Sequence, residues 1–117
     1  AGAGYLIASS QSANNFSVYT RDEENQYLGR FQVGTDIGVG IDGSQGCDGA
    51  GVISTGLGER FAQGLLVVQD GTNEVPVQQT DNPNDNTNFK FVPWEVVVNA
   101  FNPPLLIDTA SYDPRQP

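Results

Sequence analysis

The sequence predicts an all-β fold built from short antiparallel strands, and three observations carry that prediction. Apolar, aromatic and β-branched residues come in short runs bounded by Gly, Asn and Asp, the residues that end strands and make turns. Helical periodicity is scarce along the chain. Fourteen glycines and seven prolines punctuate the 117 residues and leave little room for long helices.

Each element can be read in order. "YLIASS" (5–10), "FSVYTR" (16–21) and "YLGRFQV" (27–33) form three consecutive strands, with "NN" at 14–15 and "DEEN" at 22–25 as the turns of an antiparallel meander. "GVIST" (51–55), "GLLVVQD" (64–70) and "NFKFVPW" (88–94) form a second group. The one helix candidate is "PWEVVVNAF" (93–101): Pro93 suits a first helical turn, and the valines suit a strand equally well. Residues 72–88 are rich in Asn, Asp, Gln and Pro and read as an exposed loop, and the tail after "FNPP" reads as extended along a surface.

Composition narrows the chemistry. The length fits one domain at most. Five Lys and Arg against fourteen Asp and Glu give a net charge of -9, which argues against nucleic acid, where Lys and Arg must neutralise phosphates. The same balance suits a calcium-dependent or salt-adapted extracellular protein, or simply a soluble acidic surface. Without histidine, a Cys–His nucleophile pair and a His-ligated zinc are excluded within the chain. Cys47, the single cysteine, reads as a small packing residue. No apolar run approaches the roughly 20 residues of a membrane-spanning helix. "AGAGYLIASS" lacks the basic start of a signal peptide and reads as the entry to a strand.

An internal repeat organises these strands. "GYLIASSQ" (4–11) followed by "NFSVY" (15–19) parallels "GLLVVQD" (64–70) followed by "NFKFV" (88–92). Two similar hairpins can arise by chance, and the alternative is a radial β-repeat with four short strands per unit. Propellers close with roughly four to eight blades, and this chain supplies about two.

The segment "GIDGSQGCDGAG" (40–51) carries the main candidate chemistry, two Asp-Gly pairs flanking Cys47. The spacing is not that of an EF-hand, and taken alone it favours a turn in which each Asp caps its own backbone. A metal-binding loop is the other reading, with glycines that let carbonyls turn toward an ion.

In their order and spacing, "GYLIASSQ", "DGSQGCDG", "GLG", "LLVVQDG" and "NFKFVPWE" resemble the C-terminal third of the β-propeller phytases. The resemblance runs from Gly4 to about Glu95, and "DPR" at 113–115 resembles the family's end. It implies about two antiparallel four-stranded blades of a six-bladed propeller, one over roughly 1–55 and one over roughly 56–102, with an extended tail over 103–117. It further implies a secreted, periplasmic or cell-surface bacterial enzyme that uses Ca2+ to hydrolyse phosphomonoesters of phytate, inositol hexakisphosphate, as its calcium complex. Calcium reconciles the acidity with so anionic a substrate, because hard cations held by carboxylates attract phosphate and lower the pKa of a bound water.

Carried over residue by residue, the resemblance makes Asp48 a ligand of the catalytic calcium and Asp42 a ligand of a stabilising one. Asp70 and Asn73 in "QDGTN" join Asp42 in that stabilising site. Three departures weaken the pattern: Thr72 stands where the family has glutamate, and Gly46 and Gly51 where it has aspartates. Trp94 and Tyr5 read as core aromatics rather than ring-stacking platforms, and Lys90 and Arg60 as solvated cations rather than phosphate contacts. The family's remaining site residues lie upstream, so the remaining blades are the expected partner and the chain alone is expected to be inactive. Two alternatives stay open: a non-catalytic, calcium-stabilised propeller binding module, and an unrelated propeller sharing only generic strand patterns.

Overall fold

The computed structural model describes residues 4–36, 38, 41–71, 87–111 and 114–116. It contains two three-stranded antiparallel sheets: β1 (Tyr5–Ser10), β2 (Asn15–Thr20) and β3 (Tyr27–Phe31) in one, β4 (Ala50–Ile53), β5 (Leu65–Asp70) and β6 (Asn88–Pro93) in the other. The strands fall where the apolar runs place them. Each sheet has three strands among the described residues, and β4 pairs with β5, so β4 belongs to the second sheet. The reason is pairing: Gly51 opposes Val67 and Val52 opposes Leu66, which commits the segment to its C-terminal neighbour.

Local chemistry sets the ends of these elements. β1 and β2 are joined by a single 3-10 turn (Gln11–Ala13) and Asn14, which takes the left-handed conformation (φ 54°) that Asn tolerates. At the next turn, Asp22 Oδ1 accepts from Thr20 Oγ1 at 2.7 Å and from the backbone N–H groups of Glu24 and Asn25 at 3.1 and 3.0 Å. Those bonds, led by the Thr20 hydroxyl, hold the Asp22 carboxyl below its usual range. The 93–101 ambiguity resolves as strand then helix: Pro93 ends β6 and α1 runs Trp94–Asn99. Its buried residues Trp94, Val97 and Val98 have the i, i+3, i+4 spacing of one helical face. The loop expected over 72–88 lies outside the described residues up to residue 86.

The two sheets share one core. Phe16 and Val18 of β2 and Leu66 and Val68 of β5 are fully buried, joined by Cys47, the α1 face and Leu105 of the tail. Trp94 and Cys47 are therefore packing residues, as their types suggested. Tyr5 packs against this core and its hydroxyl accepts the Leu106 N–H at 2.6 Å, which ties the tail down.

The internal repeat explains how the sheets meet. Aligning Gly4 with Gly64 and Asn15 with Asn88 pairs Phe16 with Phe89 and Val18 with Phe91. Phe16 and Val18 are buried at the shared interface, yet Phe89 and Phe91 are 65% and 61% exposed. Conversely, Lys90 and Val92 face the core while their counterparts Ser17 and Tyr19 lie on the far side of β2, since successive strand residues alternate faces. Equivalent strands thus present opposite faces to one interface. A face-to-face dyad would present the same face twice, whereas rotation about an axis gives this head-to-tail contact. The architecture is all-β and consistent with two adjacent sheets of a β-propeller.

Candidate functional site

The loop 42–49 lies at the end of both sheets where β1 and β5 finish, and hydrogen bonds to each sheet fasten it there. Toward the first sheet, Ser9 Oγ donates to the Cys47 carbonyl at 2.6 Å and the Gly46 N–H donates to Asn14 Oδ1 at 2.8 Å. Toward the second, the Gln45 N–H donates to Asp70 Oδ1 at 2.9 Å, the Gly71 N–H to the Gln45 carbonyl at 2.7 Å and the Gln69 N–H to the Gly49 carbonyl at 2.9 Å. Two glycines are required by this path. A Cβ on Gly43 would meet the Val33 carbonyl oxygen at 2.6 Å, and Gly46 has φ +58°.

The loop separates its two aspartates. Asp42 turns inward, with its side chain 13% exposed and Oδ1 2.8 Å from Lys90 Nζ. Lys90 Nζ also lies 3.1 Å from Oδ2 of the fully buried Asp70 and donates to Asn88 Oδ1 at 3.0 Å. Burial opposes the Lys90 charge, but hydrogen bonds and attraction from Asp42 and Asp70 outweigh it and raise the ammonium above its ordinary value. Lys90 is 7% exposed, so the expectation of a solvated lysine is overturned. Its β6 position beside Val68 of β5 turns it into the core, a placement that periodicity alone places on a face without saying which face is covered.

Asp48 is exposed at the other end of the loop, and its backbone N–H donates to Gln69 Oε1 at 3.1 Å. Among the described residues, no three His, Cys, Asp or Glu side chains converge as a metal-holding group. The structure brings Asp42 and Asp70 together on Lys90 and leaves Asp48 apart from them. Asn73 lies outside the described residues. The oxygens of Asp42, Asp70 and Asn88 are the donors a hard cation prefers, and the cation they hold is the Lys90 ammonium.

A groove of about 730 Å3 borders the same lysine, lined by Phe31, Val33, Ile41, Phe89, Phe91 and Val96 among others. So apolar a lining does not suit a polyanion. No helix among the described residues is long and apolar enough to cross a membrane.

Comparison with known proteins decides the family. A family model described as Phytase matches residues 1–116. The chain belongs to the phytase family. It is 42% identical over 96 residues to a 3-phytase from Bacillus subtilis (strain 168), a match that covers 82% of this chain and 23% of that protein. The chain thus spans about a quarter of the length of the curated relative it matches.

Proposed function

We propose that this chain is the C-terminal portion of a secreted or cell-surface bacterial phytase that hydrolyses phosphomonoesters of phytate with the help of Ca2+. The observation that carries the reading is the family match over residues 1–116 together with an exposed carboxylate at Asp48 on a loop fastened to both sheets. Bound calcium would supply charge neutralisation of the phosphate and a water of lowered pKa. Asp48 contributes one carboxylate to that ion, and the rest of the ligands come from other blades. The Asp48 N–H donates to Gln69 Oε1 and the Gln69 N–H to the Gly49 carbonyl, and these two bonds hold the backbone that carries this carboxylate.

A single exposed carboxylate does not make a calcium site, because Ca2+ takes six to eight oxygen ligands. The 117-residue chain by itself is therefore inactive, and the missing blades are its functional partner. The exposed Phe89 and Phe91, whose repeat equivalents are buried, support such a partner on the outer face of the second sheet. Two assays test the reading. In the full-length enzyme, Asp48→Asn lowers turnover of calcium phytate by about 10²-fold, the size of effect seen when one charge-stabilising group is removed. Undiminished turnover in that variant, or turnover by the 117-residue chain alone, sinks it.

A further inference from the structure

The Lys90 cluster has a consequence for how the loop is held. Asp42 sits at the start of the loop and Asp70 at the end of β5, and the Lys90 ammonium lies between them at 2.8 and 3.1 Å. Asp70 uses its other oxygen to accept the Gln45 N–H, and the Gln45 carbonyl accepts from Gly71. One buried cation thus organises the contacts that join the loop to the second sheet. We propose that Lys90 is a positioning residue: a built-in counter-cation that fastens the loop carrying Asp48, with no divalent ion needed between Asp42 and Asp70.

The physical case rests on charge and burial. Two carboxylates turned toward one place repel each other unless a cation lies between them, and in a water-poor site that repulsion is strong. A lysine on β6 supplies the cation covalently, so its presence does not depend on the concentration of any ion. A divalent ion can use these same oxygens only by displacing the ammonium. The arrangement gives the loop two regimes, lysine-held in the protein as folded here and ion-held when the lysine is removed. The proposal borrows from the phytase reading only the identity of the ion, and it is tested without substrate.

The experiment is site-resolved amide hydrogen exchange at Gln45 and Gly71 in the full-length protein, in chelator and in millimolar calcium. In the unaltered protein both amides stay equally protected with chelator or calcium. Lys90→Met, which keeps chain length and removes the charge, speeds their exchange at least tenfold in chelator, and calcium slows it again. Asp42→Asn, at a position that is partly solvent-exposed, serves if Lys90→Met fails to fold, and it too speeds exchange in chelator. The proposal is overturned if chelator alone releases the two amides in the unaltered protein, or if whichever of the two variants folds exchanges them as slowly as the unaltered protein. Since turnover plays no part, failure here leaves the Asp48 assay to be judged separately.

Discussion

Asp42 and Asp48 belong to the same loop, each is followed by glycine, and their surroundings are opposite. Asp42 is drawn inward onto a buried lysine, whereas Asp48 stands in solvent with its backbone tied to Gln69. Two aspartates of one motif thus meet different surroundings. One carboxylate is paired with Lys90 inside the protein, and the other keeps its charge in solvent. Burial, not residue type, divides the work, since a carboxylate in the interior must be paired and one in water need not be.

That contrast can be broken most severely at Asp70, the fully buried member of the cluster. Asp70→Asn removes one charged partner of the ammonium and should destabilise the protein by about 3–5 kcal/mol, the usual effect of removing one side of a buried pair. Chemical denaturation would measure it, and a loss below about 1 kcal/mol would show that the pair is not structurally important. Alkaline pH probes the same cluster without mutation. Because the folded-state pKa of Lys90 is raised above 10.5, its contribution is fully present below that value and is lost as pH climbs through the higher folded one. Melting temperatures across that range should fall more in the unaltered protein than in Lys90→Met.

A smaller effect is expected where the loop meets the first sheet. Ser9→Ala removes the 2.6 Å bond to the Cys47 carbonyl and should cost about 1 kcal/mol in the same denaturation experiment. The smallest belongs to Asp48: Asp48→Asn should leave stability within about 0.5 kcal/mol, as exposed substitutions do, while turnover collapses. A variant that lost stability and turnover together would erase the distinction between the two aspartates.

Much of the fold was legible because strand signals are local. "YLIASS" became β1 without a residue's shift, and "DEEN" became a turn capped by Asp22, since the side chains that make these elements lie within a few residues of one another. The grouping of "GVIST" with the second set of strands agrees with the pairing of β4 and β5. Lys90 was misread because which face of a strand is covered is not a local property. Alternation along "NFKFV" puts Asn88, Lys90 and Val92 on one face and both phenylalanines on the other, and hydrophobicity by itself argues that the phenylalanines are the buried set. They are exposed because β6 turns its other face, with Lys90 and Val92, to the shared core.

The all-β class, the strand positions, the repeat and, through ordered landmarks, the family can all be read from the amino acids in order. Those properties follow from short-range stereochemistry and from strings that survive comparison residue by residue. Packing, by contrast, sets which face of each strand is inside, that Asp42 and Asp70 meet across the loop, and that a lysine is the cation between them. Such facts depend on contacts between segments far apart in the chain, where the distance that sets a charge's energy is a property of the packed sheets and not of the spacing of letters.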